Sequence, residues 1–282
     1  RRAAPCKRGD AGAWRDMEWG KNMKTRAAVL YGYGINCDYE TKHAIESAGG
    51  IAERVHVHEL LEKPKMLDGF NMLAFPGGFS YGDDLGSGKV VANKMKFGLL
   101  EELGEFVKAG KLVIGICNGF QMIVKMGLLP YADFEQKATL VFNDSGKFED
   151  RWVFLKANPK SKCIFTRGIS DLMLPVRHGE GKFMASAQVL NDIVMKKMFA
   201  LGYVNEHGEE AGYPYNPNGS LLNIAGICNE EGNVFGLMPH PEAYNSMTNN
   251  PYWTRAKEGL KDWKGAGMKV FENANAYIEE KF

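Results

Sequence analysis

The sequence lacks any apolar run that could cross a membrane, and it lacks a strong net charge. Hydrophobic residues make up 45% of its 282 residues, charged residues make up 24%, and the formal net charge is +1. A membrane-spanning helix needs about 20 consecutive apolar residues. Binding to nucleic acid or to an acidic membrane surface usually needs a basic excess. The composition therefore predicts a globular protein and favours neither a membrane nor a nucleic acid as a partner.

Cysteine is scarce and does not occur at metal-binding or disulfide spacing. The five cysteines are scattered, odd in number and free of C-x-x-C pairs: Cys6, Cys37, Cys117, Cys163 and Cys228. Disulfide scaffolds and structural zinc sites have regularly spaced cysteines. We therefore expect no resident metal, and a protein that works in a reducing cytoplasm.

Internal repeats, heptads, low-complexity segments and nucleotide-binding motifs are also missing. The glycine-rich segment 76–80 lacks the G-K-[ST] of a P-loop and the G-x-G-x-x-G of a dinucleotide fold. The chain therefore offers no ATP site of its own. Residues 1–22 are rich in Arg, Gly and Ala and have no signal-peptide core. We expect them to be an extension or a remnant of the expression vector, followed by one domain over residues 23–282.

From Met23 onward, short apolar runs alternate with amphipathic stretches. The first half predicts strands near 26–31, 51–57, 72–75 and 112–116, with helices near 39–48, 90–109 and 118–126. This alternation indicates an α/β fold with an open, mostly parallel sheet and helices on both faces. The second half predicts shorter, partly antiparallel strands at 151–156, 173–176, 188–190, 222–228 and 234–238, and a last helix over 269–280.

The segment KLVIGICNGFQMIVKM, residues 111–126, places one cysteine between a strand pattern and a helix pattern. Cys117 follows a buried-strand run and precedes helical spacing, with Gly115 and Gly119 on either side. This G-x-C-x-G is the cysteine form of a nucleophile elbow, which presents the side chain at the carboxyl edge of a sheet. The helix N-terminus behind it favours the thiolate. A cysteine buried in the core is the alternative.

A cysteine nucleophile needs a base, and one of the six histidines stands out. His240 follows a predicted strand and lies between two prolines, which restrict the local backbone. Glu242 can point the same way and hold the imidazole in the useful tautomer. A rigid surface turn is the alternative for this P-H-P-E segment. The remaining candidates are expected at the surface: His56 and His58 on one face of a strand, His43 on a helix and His207 in a turn.

The segment 76–80, P-G-G-F-S, follows a predicted strand and should lie at the same sheet edge as Cys117. Its glycines let the backbone present N–H groups to a developing negative charge. The N–H of Asn118, directly after the nucleophile, is the natural second donor. Phosphate binding is the alternative for a glycine-rich loop of this kind.

Several segments together resemble a known family and follow that family's order. They are P-G-G-F-S-Y-G-D at 76–83, G-I-C-N-G-F-Q at 115–121, R-H-G-E-G at 177–181, N-P-N-G-S at 216–220, N-I-A-G-I at 223–227 and M-P-H-P-E at 238–242. The sequence resembles the class I (triad) glutamine amidotransferases, which have a flavodoxin-like α/β fold. More narrowly, it is similar to the glutaminase subunits of phosphoribosylformylglycinamidine synthases, which act in purine biosynthesis.

The resemblance implies a role for each matching residue. Cys117 is expected to attack the side-chain amide of glutamine while His240, oriented by Glu242, moves the protons. Ammonia then leaves, and water hydrolyses the γ-glutamyl thioester to glutamate. The backbone N–H groups of Gly78 and Asn118 are expected to form the oxyanion hole.

The resemblance also implies a glutamine-binding set and partners. The expected glutamine-binding residues are Gln121, His178, Gly179 and Glu180. For His178, the alternative is that it merely orders its turn. No cofactor is expected on this chain, whereas ATP and magnesium are expected on a separate synthetase large subunit, together with a small third subunit. The alternatives are the glutaminase subunit of another amidotransferase, a different cysteine hydrolase on the same fold, and a non-catalytic binding subunit for which Cys117 would be dispensable.

Overall fold

The computed structural model describes residues 24–256 and 263–282, so the expected extension 1–22 lies outside the described residues. The strands are β1 (Arg26–Tyr31), β2 (Ile51–His56), β3 (Met72–Phe75), β4 (Leu112–Ile116), β5 (Ala138–Val141), β6 (Glu149–Ala157), β7 (Asp171–His178), β8 (Lys182–Ala185), β9 (Phe199–Val204), β10 (Ile224–Cys228) and β11 (Val234–Leu237). The helices are α1 (Asp38–Ser47), α2 (Val57–Glu62), α3 (Lys89–Lys108), α4 (Asn118–Met126), α5 (Ala187–Met195), α6 (Trp253–Ala256) and α7 (Met268–Lys281).

The parallel part of the sheet contains five strands in the order β2-β1-β3-β4-β11. The strands β3, β4 and β11 are buried along their whole length. Their near-continuous apolar sequences are typical of parallel strands covered on both faces. This order is that of flavodoxin-like folds, so the predicted α/β class is confirmed.

Two helix layers cover this sheet. The chain passes from β1 through α1 to β2 at one edge of the sheet. It then returns past β1, so that β3, β4 and β11 follow on the other side of β1. Since crossovers between parallel strands are right-handed, this reversal places α1 on one face and the helices that follow β2 and β3 on the other. The contacts agree with this arrangement, because α1 packs against α7 and α3 packs against α4.

The second half of the chain extends the sheet with antiparallel strands. The sheet continues from β11 through β10, β9, β6 and β7, each antiparallel to its neighbour. A separate two-stranded sheet pairs β5 with β8. The extension is tied to the parallel part because the amide of His240 donates to the carbonyl of Pro175 in β7 at 2.9 Å. This bond places β7 beside the segment that follows β11.

Two local predictions were wrong. Residues 188–190 belong to helix α5, not to a strand, because the hydroxyl of Ser186 accepts the amide of Val189 at 3.3 Å and caps the helix. His56 and His58 do not share a strand face, because β2 ends at His56 and α2 begins directly after it. The imidazole of His56 caps that helix by accepting the amide of His58 at 3.1 Å.

The strand predicted over 222–228 starts later, at Ile224. A short 3₁₀ turn precedes it, in which Leu222 and Asn223 have positive φ angles of 53°. Such angles are incompatible with an extended strand. Among the residues that the structure describes, no helix combines the length and apolarity that a bilayer crossing requires.

Candidate active site

Cys117 lies in a strained turn between β4 and α4. Its φ and ψ angles are 52° and −107°, in a region that residues with side chains rarely occupy. The amide of Cys117 donates to the carbonyl of Leu237 at 2.8 Å, which ties the turn to the end of β11. The turn has the geometry expected of a nucleophile elbow, and it brings the buried thiol to the carboxyl edge of the sheet.

The two flanking glycines permit this turn because neighbouring backbone lies where a side chain would be. A Cβ on Gly119 would lie 1.8 Å from the carbonyl oxygen of Phe75, and one on Gly115 would lie 2.7 Å from the carbonyl oxygen of Gly119. Real Cβ atoms do not approach backbone so closely, so α4 can pack against β3 only with glycine at 119. The G-x-C-x-G spacing therefore reflects close packing between the elbow and the sheet.

His240 and Glu242 form a buried pair just after β11. Their side chains are 2% and 0% exposed, and Nδ1 of His240 lies 2.6 Å from Oε1 of Glu242. Burial by itself disfavours the imidazolium, but the carboxylate of Glu242 and the thiols of Cys117 and Cys37 outweigh it. Together they raise the pKa of His240 well above its ordinary value. These neighbours therefore favour the protonated form of the imidazole.

The thiol of Cys117 lies close enough to His240 to affect its pKa. The thiol's own hydrogen bond goes to the carbonyl of Arg177 at 3.5 Å. Within the described ranges, Nε2 of His240 is buried and has no hydrogen-bond partner. Since Glu242 occupies Nδ1, Nε2 is the nitrogen left for the thiol. Thiol–imidazole bonds of this kind often tighten only when substrate binds.

The segment 76–80 forms a loop at the same edge, as predicted. It is held against the turn after β1, because the amides of Asn36 and Cys37 both donate to the carbonyl of Gly77, at 3.2 and 3.1 Å. The amide of Phe79 donates to the carbonyl of Gly34 at 2.9 Å. These bonds leave the amide of Gly78 without an acceptor among residues 24–256 and 263–282.

Asn118 connects the elbow to this loop. Its side-chain oxygen accepts the amide of Ser80 at 3.1 Å, and its nitrogen donates to Asp83 at 3.2 Å and to Gln121 at 2.8 Å. The backbone amide of Asn118 is the first of α4, so no turn of helix precedes it to supply an acceptor. The amides of Gly78 and Asn118 therefore both lie at this edge of the sheet, and neither has an acceptor among the described residues.

Gln121 lies one turn into α4 and reaches the loop after β7. Its side-chain amide donates to the carbonyl of Glu180, so the fold brings these two predicted residues together. The carboxylate of Glu180 interacts with that of Asp83. Burial, with a contribution from Glu180, raises the pKa of Asp83, while hydrogen bonds from Ser87, Gly88 and Asn118 oppose the shift. The site thus has two neighbouring carboxylates beside α4.

His178 is buried and held in one tautomer by Asn143. The side-chain nitrogen of Asn143 donates to the carbonyls of His178 and Lys147, and its oxygen accepts the amide of Gly181 at 3.0 Å. That oxygen also lies 3.1 Å from Nδ1 of His178, which must therefore carry the proton. Burial, with a smaller effect of His240, lowers the pKa of His178 to about 3. The imidazole is neutral, and its buried Nε2 has no partner in the described part of the chain.

The N-P-N-G-S segment at 216–220 supports the H-G-E-G segment from behind. The hydroxyl of Ser220 donates to the carbonyl of Gly181 at 3.3 Å and accepts the amide of Phe183 at 2.9 Å. The backbone amide of Asn143 donates to the carbonyl of Gly179 at 2.9 Å. The two motifs therefore form one unit, which fixes the backbone of residues 178–181.

The sequence reasoning missed Cys37, Asn143 and Tyr203. Cys37 contacts His240, Asn143 orients His178, and Tyr203 is fully buried near Cys117, with its pKa raised chiefly by burial. Cys37 and Asn143 lie in turns without a recognisable motif, so only the folded contacts identify them. The histidines set aside at the sequence level lie outside the site, and His43 and His207 are exposed.

Comparisons with known proteins identify the family of this chain. Residues 24–278 match the family of CobB/CobQ-like glutamine amidotransferase domains. The chain is 48% identical over 253 residues to phosphoribosylformylglycinamidine synthase subunit PurQ of Dehalococcoides mccartyi, covering 89% of this chain and 96% of that one. It is 40% identical over 267 residues to PurQ of Methanococcus maripaludis, covering 90% and 98%. A chain of the solved PurLQS structure from Thermotoga maritima is 34% identical, with a TM-score of 0.68 and coverage of 91% and 100%.

Proposed function

The chain belongs to the PurQ family of glutamine amidotransferases, and on that premise we propose that it hydrolyses glutamine to supply ammonia for phosphoribosylformylglycinamidine synthesis. The observation that carries the proposal is the buried arrangement of Cys117, His240 and Glu242 at the carboxyl edge of the sheet. It provides a nucleophile, a proton carrier and an orienting carboxylate in one place.

Hydrolysis begins with attack of the Cys117 thiolate on the side-chain carbonyl carbon of glutamine. The neighbours that raise the pKa of His240 favour the imidazolium, which stabilises the thiolate and then gives its proton to the departing ammonia. The neutral imidazole next takes a proton from water, which attacks the γ-glutamyl thioester and releases glutamate. Glu242 keeps Nδ1 engaged throughout and leaves Nε2 for these transfers.

The oxyanion of each tetrahedral intermediate would accept the amides of Gly78 and Asn118. Both amides lack an acceptor among the described residues, and both are held by fixed contacts of the 76–80 loop and the elbow. Preorganised donors of this kind typically contribute about 10²–10³ in rate each.

Recognition of glutamine is assigned to Gln121 and to the 178–180 segment. The unprotonated Nε2 of His178 is a buried acceptor for an N–H of the substrate. The carboxylates of Asp83 and Glu180 lie together and suit the α-ammonium group of glutamine. The amide of Gln121 fixes the backbone of this segment through the carbonyl of Glu180.

The ammonia has a use only if a synthetase activates the acceptor. The similarity to a chain of PurLQS supports a separate synthetase as the partner, together with a small third subunit. That partner would carry ATP and magnesium and convert formylglycinamide ribonucleotide to formylglycinamidine ribonucleotide. We assign the complex to the cytoplasm. Internal transfer of ammonia is expected, because free ammonia would be protonated and lost to solvent.

The test is glutamate release from glutamine by the full chain, alone and with the synthetase partners, formylglycinamide ribonucleotide, ATP and Mg²⁺. We expect turnover that depends on Cys117 and rises when partners and substrates are added. Cys117→Ala should be inactive, whereas Cys163→Ala, which removes a buried thiol elsewhere, should retain activity. Equal turnover by Cys117→Ala would overturn the mechanism. No turnover by the assembled, folded complex would favour a non-catalytic binding subunit.

A further inference from the structure

Cys37 is a second thiol at the catalytic histidine, and the proposed hydrolysis does not use it. It follows the turn after β1 and directly precedes α1, and its side chain is half-buried. The position that a Cβ on Gly77 would take lies 3.3 Å from the sulfur of Cys37 and 2.8 Å from Cε1 of His240. The sulfur and the imidazole therefore share the small space in front of Gly77.

The donor atoms at this place are close together and chemically suited to a metal ion. One donor atom each from Cys37, His240 and Glu242 lie within 4.8 Å of one another. Thiolate, imidazole and carboxylate are the donors that Zn²⁺ uses in proteins. Zinc–ligand bonds of about 2.0–2.3 Å in a tetrahedron place ligand atoms roughly 3.3–3.8 Å apart. Shifts of about 1 Å would therefore bring the three donors into range.

One atom of the cluster has unmet bonding capacity. Oε2 of Glu242 is buried and has no hydrogen-bond partner in the part of the chain that the structure describes. Buried polar atoms without partners are uncommon and costly. A bound cation would neutralise the carboxylate, while the partial exposure of Cys37 leaves a route from solvent.

We propose that Cys37, His240 and Glu242 form an inhibitory site for Zn²⁺ or a similar thiolate-binding divalent cation. The cation takes the place of the thiol proton of Cys37 and of a proton on the imidazole, and both protons pass to solvent. A metal on Nδ1 takes the place of the proton through which Glu242 orients the imidazole. His240 then no longer serves Cys117. This consequence rests on the proposed function, but binding itself does not.

The donor set also discriminates between cations. Mg²⁺ prefers oxygen ligands in octahedral geometry, whereas a site with one thiolate and one imidazole favours Zn²⁺ or Co²⁺. The magnesium that a synthetase partner requires would therefore leave this site free. The site provides a response to thiophilic metals without interference from the cation used for ATP.

The binding test uses Co²⁺ with the full chain, because a cobalt–thiolate bond gives a charge-transfer absorption that reports the sulfur directly. We expect this band in wild type and in Cys117→Ser, and at least a tenfold weaker affinity in Cys37→Ser. Cys163→Ala and Cys6→Ser are the matched thiol controls and should bind as wild type does. A band that is lost in Cys117→Ser and kept in Cys37→Ser would overturn the site, and so would its absence from wild type.

A second measurement needs no variant at Cys37. Wild type is treated with a thiol-alkylating reagent with and without Zn²⁺, and each cysteine-containing peptide is quantified by mass spectrometry. Zinc should slow alkylation of Cys37, and the proposal fails if the rate at Cys37 is unchanged. Glutaminase assays then test inhibition: Zn²⁺ should inhibit Cys37→Ser at least tenfold less strongly than wild type. Metal binding without any glutaminase activity would reject the proposed function and leave the site intact.

Discussion

At the residue scale, His240 is subject to opposing influences on its charge. Burial favours the neutral ring, but Glu242 at 2.6 Å and the neighbouring thiols favour the imidazolium and prevail. A histidine that is already protonated can stabilise a thiolate and has a proton ready for the leaving ammonia. Activity should then be lost as pH rises through the pKa of His240, because that proton is removed.

Glu242→Gln tests this account. Without the carboxylate the pKa of His240 falls, so we expect the alkaline limb of the kcat/KM profile to move to lower pH. Replacement of the carboxylate in a comparable triad lowers kcat by about 10⁴-fold, and we expect a loss of roughly 10³–10⁴-fold here. The measurement is glutamate release across pH, in the complex with the synthetase.

Glu135→Gln is the matched control for this variant. Glu135 is paired with Lys137 at the surface, and surface ion pairs contribute little to stability. We expect its activity and pH profile to equal those of wild type. If Glu242→Gln retained the wild-type alkaline limb, Glu242 would not be the group that raises the pKa of His240.

At the scale of elements, the elbow depends on how closely α4 approaches β3. Gly119→Ala would place a methyl group 1.8 Å from the carbonyl oxygen of Phe75, which belongs to the strand and cannot rotate away. We expect a destabilisation of about 1–3 kcal/mol or more from overpacking. At roughly 2–4 °C per kcal/mol for a domain of this size, the Tm should fall by about 2–12 °C or more.

Gly69→Ala is the control for this substitution, since a Cβ there would meet no atom within 4 Å. Its Tm should lie within about 1–2 °C of wild type, because surface substitutions are usually near neutral. An unchanged Tm for Gly119→Ala would show that the elbow can move away from β3, and the tight turn would then not be a packing requirement.

The elements that were predictable from sequence are those with a strong local signal. The strand β4 is a near-continuous apolar run, and Gly127 ends α4, so both could be placed from their own residues. Helix α5 was mistaken for a strand because the short segment 188–190 alone does not distinguish a strand from a helix, and its identity depends on the cap at Ser186. The pairing of β5 with β8 joins segments more than 40 residues apart, and periodicity carries no information about it.

The same distinction holds within the site. Cys117, His240 and Glu242 could be named because G-x-C-x-G and H-P-E are contiguous motifs with a chemical rationale. Asn143 acts on His178 from 35 residues away, and nothing near Asn143 in the sequence indicates this contact. Cys37 follows β1 and His240 follows β11, so their contact can be recognised only when the order of the strands in the sheet is known.

At the scale of the whole molecule, the site joins the two parts of the sheet. The parallel part provides the elbow, the 76–80 loop and His240, whereas the antiparallel extension provides the 178–181 segment. The thiol of Cys117 donates to the carbonyl of Arg177 in β7, so the nucleophile lies at this junction. Glutamine bound between Cys117 and His178 would contact both parts and should stabilise the entire domain.

This expectation can be measured by thermal unfolding of Cys117→Ala, which should bind glutamine without hydrolysing it. At a glutamine concentration of about 100 times Kd, binding adds roughly 2.7 kcal/mol, or about 5–10 °C in Tm. Adding Asn143→Ala removes the support of His178 and should largely abolish this shift, whereas adding Asn205→Ala, which alters a separate exposed turn, should preserve it. D-Glutamine should give no shift. An equal shift in the Asn143→Ala double variant would show that the 178–181 segment does not hold the substrate, and that glutamine is bound by the parallel part alone.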